Sequence, residues 1–115
     1  MTNTAVLPQI AIIEESLLGA LMEKKGTVDE VISILKPEHF QKEAHQHIYR
    51  SMLALFDHLE PVNLVTVSGK LRAAGELELI GGAVYLAHLT AGAKSVDSDN
   101  IGMYARMMVE ATYCY

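Results

Sequence analysis

Five histidines are the side chains here most suited to chemistry: His39, His45, His47, His58 and His88. His45 and His47 lie two positions apart. On a helix such residues point roughly 200° from each other, so they cannot share one metal ion. The other three lack a Cys or an i,i+4 His partner to complete a zinc set. The histidines are therefore expected to be structural or surface residues, with His45, beside Ile48 and Met52, semi-buried. Gly92-Ala93-Lys94-Ser95 superficially resembles a phosphate loop, but that loop needs Gly directly before the Lys and a second Gly earlier. Position 93 is Ala and position 88 is His, so an inter-helix loop is expected. There is no Gly-x-Ser-x-Gly, and Cys114 has no plausible base partner. The carboxylate pairs Glu14/Glu15, Asp29/Glu30 and Glu76/Glu78 read as caps and solvated faces. Two binding surfaces remain. Lys70 and Arg72, in Ser68–Gly75, could belong to a winged-helix recognition helix. Met103, Tyr104, Met107, Met108 and Tyr113 could form a partner surface, since Met and Tyr are common at interfaces.

The elements that must position these residues read as helices. Gln41–Leu59 has no Gly or Pro, and Ala44, Ile48, Met52, Leu55, Phe56 and Leu59 fall on one helical face. It is expected to be the central helix. Before it, Pro8 opens a helix whose stripe is Ile10, Ile13, Leu17 and Leu21, with Glu14 and Glu15 favourable to the helix dipole. Lys24, Lys25 and Gly26 end it. Thr27 and Glu30 form a capping-box pattern for a short helix carrying Val28, Val31, Ile32 and Leu35, which Pro37 stops. Phe40 is expected to plug the gap to the central helix. Val62–Val67 is rich in β-branched residues, yet a lone strand is unstable. Asn63 as N-cap, with Leu64, Val67 and Leu71, predicts a helix there ending at Gly75. Glu76–Ile80 is a short turn or a loose helical piece. Val84, Tyr85, Leu86 and Leu89 lie on a helix ending near Gly92, and Ala91–Ser98 is a loop. A last helix from about Asp99 places Ile101, Tyr104, Ala105 and Met108 on one face and is unfinished at Tyr115.

The prediction is an all-α fold: a compact orthogonal bundle of about six helices around residues 41–59, without a sheet. Residues 1–7 are an extended or disordered start and 8–115 a single domain. At 115 residues, half of them hydrophobic, the chain can bury a real core. A net charge of −5 argues against this chain gripping nucleic acid by itself. One cysteine excludes an internal disulfide, and a reducing, intracellular setting is expected. No apolar run is long enough to span a membrane.

Four stretches resemble the N-terminal domain of the bacterial DnaB-type replicative DNA helicase. They are Pro8 followed by Glu14-Glu15-Ser16-Leu17-Leu18-Gly19-Ala20-Leu21-Met22; Pro37-Glu38-His39-Phe40 with Ala44-His45-Gln46-His47-Ile48-Tyr49; Glu60 to Val67; and Ile80-Gly81-Gly82-Ala83-Val84-Tyr85-Leu86-Ala87-His88-Leu89. Asn100-Ile101 and Tyr104-Ala105 continue the pattern, which spans roughly residues 8–110. The chain departs from it at Ile12 and Ile13, where the family tends to have Glu and Ala. It departs again at Ala111–Tyr115, where a charged helix would run on.

The resemblance implies an all-helical domain without ATPase activity. In the family, ATP and Mg²⁺ belong to a separate C-terminal motor domain, so this domain is expected to carry no cofactor, metal or catalytic residue. It implies a scaffold and interaction role in a hexameric helicase: supporting the collar, built as a trimer of dimers, and recruiting primase during DNA replication. The implied partners are a second copy through the last helix, the primase C-terminal domain and a helicase loader, with no direct nucleic acid and no membrane. The implied location is the cytoplasmic, nucleoid-associated replisome. The family's collar dimer uses a hairpin of two helices, of which Asp99–Tyr115 is the first; a monomer or weak dimer is expected. Tyr85, Met103, Tyr104, Met107 and Met108 are the expected partner-binding residues. The competing readings are a small winged-helix DNA-binding regulator and an enzyme of unknown reaction.

Overall fold

The computed structural model describes residues 8–93 and 98–113. Six α-helices follow one another: α1 (Pro8–Glu23), α2 (Val28–Val31), α3 (Glu43–Asp57), α4 (Leu64–Ala73), α5 (Gly82–Gly92) and α6 (Ile101–Tyr113). Short 3-10 turns at Pro37–His39 and Ser98–Asn100 precede α3 and α6. No strand occurs among the described residues, so the all-α bundle is as expected and Val62–Val67 joins a helix. The reason is local. Asn63 Oδ1 accepts from the Thr66 N–H at 3.0 Å while Thr66 Oγ1 accepts from the Asn63 N–H at 2.9 Å, a reciprocal cap that outweighs the β-branched run. Residues 1–7, the proposed ragged start, and 94–97, within the expected loop, lie outside the described residues.

Helix α3 supplies Ile48, Tyr49, Met52 and Leu55 to the core, and all four are buried. The central place is shared with α1, which packs against α3, α4, α5 and α6. This follows from its composition: Leu17, Leu18, Ala20, Leu21 and Met22 cover most of its circumference and are all buried, and a helix apolar on most sides is enclosed rather than laid on a surface. Phe40 fills the gap beside α3 as expected, buried and 5.0 Å from the ring of Tyr49. The Tyr49 hydroxyl donates to the Leu35 carbonyl at 2.8 Å, which ties the turn after α2 to α3.

Several local expectations are corrected. Helix α3 is shorter than 41–59. Leu59 lies beyond its end at φ 59°, 92% exposed, because Pro61 and the α4 cap turn the chain away before another helical turn can form. Thr27, just before α2, has helical backbone angles and makes no side-chain cap; its hydroxyl donates backward to the Lys24 carbonyl at 2.8 Å, closing the end of α1 instead. Helix α2 is a single turn, and Ile32 is 37% exposed rather than on a long apolar face. Helix α5 ends at Gly92 as expected, so only the start of the loop assigned to Ala91–Ser98 is corrected, Ala91 and Gly92 being helical.

Glycines at two places set the packing of α5. Gly81 and Gly82 have φ of 108° and 80°, a left-handed pair that reverses the chain into the helix. Gly19 lets α1 and α5 approach backbone to backbone: a Cβ there would collide with the Leu89 carbonyl and sit 2.9 Å from the Ala93 Cβ. Gly19→Ala is therefore expected to destabilise the domain by about 1–3 kcal/mol, since neither backbone nor a buried Ala can yield cheaply. Urea unfolding measures this; a neutral result would mean that the two helices can separate without loss.

Candidate functional site

The buried polar centre of the domain is a relay of three side chains from three helices. Glu14 on α1 and His45 on α3 are both fully buried. Glu14 Oε1 lies 2.7 Å from His45 Nδ1, and Glu14 Oε2 accepts the Gln41 backbone N–H at 2.7 Å. On its other side, His45 Nε2 lies 2.6 Å from the Tyr85 hydroxyl on α5. With Glu14 as acceptor, the network places the imidazole proton on Nδ1, so Nε2 accepts from the Tyr85 O–H. Burial pushes the Tyr85 phenol up to about 12, and the negative charges of Glu15 and Glu14 add to this, so the phenol keeps the proton it donates. The Tyr85 ring also lies nearly parallel to the imidazole, at 9° and 5.9 Å, and stacks on His88 at 6.3 Å.

Glu14 was expected near the start of α1, serving the helix dipole, or on a solvated face. It sits in the second turn instead. The signal was in the spacing: Ile10, Glu14, Leu17 and Leu21 form a stripe as regular as the one drawn through Ile13, and the structure buries that stripe with the carboxylate in it. His45 is more deeply buried than expected. His39 was missed as a core residue; it is buried, and its Nδ1 accepts the Lys36 N–H at 2.9 Å, helping to hold the turn before Phe40. His47 pairs with Glu76 at 3.3 Å on a partly exposed surface, a contact of small energetic weight.

An acid–imidazole–hydroxyl series has the order of a nucleophile-activating triad, but here every member is spent on its neighbour. The hollow beside it, lined by Glu15, Ser16, His88, Leu89 and Gly92, is about 60 Å³, well below the few hundred typical of ligand sites. The arrangement is a clamp that fastens α1, α3 and α5 together. Among the described residues, no three His, Cys, Asp or Glu side chains converge as a metal set would. No described helix is long and apolar enough to cross a membrane.

The five expected partner residues divide by environment. Met108 is core, fully buried on the inner face of α6 with Ile101 and Ala105. Tyr104 and Tyr85 are half-buried. Met103 and Met107, one turn apart, are 49% and 40% exposed. The structure thus joins Tyr85 to the buried relay and gives α6 a second apolar strip on its outer side. Lys70 and Arg72 lie in the last turn of α4, where they suit the helix dipole. A wing needs strands, and none occurs among the described residues.

Fold and site together define an all-helical domain in which, among the described residues, every buried side-chain polar atom has a hydrogen-bond partner. The family model "DnaB-like helicase N terminal domain" matches residues 6–110, and the chain belongs to that family. It is 36% identical over 105 residues to the replicative DNA helicase DnaB of Rhodothermus marinus, covering 91% of this chain and 11% of that protein. It is 39% identical over 103 residues to the Geobacillus stearothermophilus DnaB, covering 90% and 22%. The chain therefore spans less than a quarter of either relative. The crystal structure of the N-terminal domain of DnaB helicase from Mycobacterium tuberculosis superposes with a TM-score of 0.80 at 35% identity, covering 87% of this chain and 68% of that one. Three of the four stretches that carried the resemblance each contribute one member of the relay.

Replacing His45 by Leu strands the Glu14 carboxylate in the core and is expected to cost about 3–5 kcal/mol, whereas Tyr85→Phe removes one hydrogen bond and costs about 1 kcal/mol. Denaturant midpoints distinguish this clamp from a dispensable contact, for which both losses would be small. The pH dependence has a definite sign. Tyr49, raised by burial, and Tyr85 both stand at about 12 in the folded chain against an ordinary 10, so the unfolded chain releases these protons first and stability falls as pH rises from 10 towards 12. Tyrosinate absorbance should show these two phenols ionising last, and Phe at either position should flatten the loss.

Proposed function

We propose that this chain is the non-catalytic N-terminal scaffold domain of a hexameric bacterial replicative DNA helicase, supporting collar assembly and recruiting primase through the primase C-terminal domain. ATP and Mg²⁺ serve the motor domain of such a helicase, and the place of action is the replisome in the cytoplasm. A helicase loader is a further partner in this reading. The observation that carries the proposal is family membership over nearly the whole chain, with a matching fold. The surface supports it physically. Met103 and Met107 give α6 an outer apolar strip suited to a second copy, and Val84, 81% exposed, stands beside the half-buried Tyr85 on α5 as an apolar contact for another partner.

Sedimentation velocity over a concentration series, alone and with the primase C-terminal domain, tests both halves of the proposal. A primase-dependent shift that Tyr85→Ala weakens is the expected result, together with self-association that falls when Met103 and Met107 are changed to Glu. If the full-length helicase also fails to bind the primase domain, the recruiting role is overturned. Self-association indifferent to the α6 substitutions removes the proposed collar contact.

A further inference from the structure

At the opposite end of α1 from the clamp, about 12 Å along the helix from Glu14 to Met22, the surface opens into a groove of about 420 Å³. Its floor and walls are Leu21, Met22, Val28, Phe56, Pro61 and Val62. A second hollow of about 360 Å³ adjoins it, sharing Met22, Glu23 and Asn63 and continuing over Leu64 and Val65. Together they form an elongated apolar trough where α1 and α3 end and where α2 and α4 begin. Two large apolar side chains stand near it in the open: Val65 at 77% exposure and Leu59 at 92%. Leu59, between the lining residues Phe56 and Glu60, is also the one non-glycine among the described residues held at positive φ. The left-handed backbone of Leu59 closes α3, with its N–H donating to the Phe56 carbonyl at 3.0 Å and the Glu60 N–H donating to the Leu55 carbonyl at 2.9 Å, while its side chain is left in solvent near the trough.

The charge at the trough has one dominant sign. Glu23, Asp29 and Glu60 line it against Lys25 alone. Among the described residues no ion pair joins Lys25 to any of these carboxylates. A buried apolar floor with an acidic, solvent-exposed rim matches a segment that offers apolar anchors flanked by cations. The length of the trough, running past one compact pocket onto a second, suits a stretch of polypeptide better than a small molecule.

We propose that this trough is a docking site for a basic amphipathic peptide segment of a partner protein, with one or two large apolar side chains seated over Met22 and Phe56 and Lys or Arg facing Glu23, Asp29 and Glu60. It is distinct from the Tyr85 and α6 surfaces and does not rest on the collar reading. The partly exposed Phe56 and Val62, with the exposed Pro61 and Val65, provide the affinity as the segment takes their apolar area out of water, and the rim selects the sign of charge and raises the rate of encounter.

The test pans a phage-displayed library of random linear peptides on the chain and measures the enriched peptides by fluorescence anisotropy. The expected peptides carry large apolar residues together with Lys or Arg, and their affinity weakens with salt. Glu23→Lys combined with Glu60→Lys should lower it about tenfold or more, since both changes convert rim attraction into repulsion. Both side chains are exposed, so the circular-dichroism melt should be unchanged. Leu79→Asp, beyond the far end of α4, should leave binding intact. The proposal is overturned if the enriched peptides show no basic bias, if the double charge reversal leaves their affinity unchanged, or if nothing enriches over the doubly reversed chain. Self-association abolished by the same reversals would assign the trough to a second copy and overturn the peptide partner.

Discussion

A carboxylate removed from water must be met by donors, and the burial of Glu14 imposes that condition on half the molecule. One oxygen takes the backbone N–H of Gln41, which fixes where the chain enters α3; the other takes the His45 imidazole, which fixes the rotation of that helix. The imidazole in turn needs a donor for its second nitrogen, and Tyr85 supplies it from α5. A purely apolar interface between these helices would tolerate sliding by a fraction of a turn. The relay does not, because any slip leaves a buried charge or a buried nitrogen without its partner. Among the described residues no buried side-chain polar atom lacks a hydrogen bond, so the condition is met throughout.

The relay acts together with a steric device. Gly19, one and a half turns further along α1, allows the Leu89 carbonyl and Ala93 to approach the α1 backbone. The polar contact sets the register of α1 against α5, and the missing side chain sets their separation. This explains why α1 shares the centre with α3. The strongly amphipathic α3 needs only one good neighbour on each side of its stripe, while α1 is apolar nearly all round and carries the one fully buried acid among the described residues.

The sequence disclosed what is local and periodic. Asn63 declared the start of α4 against the strand propensity of its neighbours, Pro8 the start of α1, and Phe40 its own burial. The four resembling stretches located the family, which the match over residues 6–110 bears out. What stayed hidden is the relation between stretches. Glu14, His45 and Tyr85 were each singled out, but for separate reasons: a dipole, a semi-buried ring and a partner contact. Their meeting depends on how three helices pack, and no spacing along one chain encodes that. Glu14 misled because charge was read as exposure, whereas its place in the Ile10–Leu21 stripe already set it on the apolar face. Leu59 misled in the opposite sense, since helical periodicity continues on paper past the point where Pro61 ends the helix.

The two ends of α1 thus behave differently, and the difference bears on recognition. Near Glu14 the buried polar groups are committed, and Tyr85 is held both by its hydrogen bond and by the stacked rings of His45 and His88. A phenol fixed in this way has lost its rotamer freedom in the free protein, so a partner that lands on it has little side-chain entropy left to overcome. Near Met22 the carboxylates of Glu23, Asp29 and Glu60 remain in solvent around an apolar floor, and no short-range partner from the described residues neutralises them. A surface in that state gains more from a cationic segment than a saturated one would, because new ion pairs form there without breaking old ones. The clamp makes such an arrangement tolerable: with register set at Glu14 and spacing set at Gly19, the carboxylates around Met22 do not have to contribute to folding.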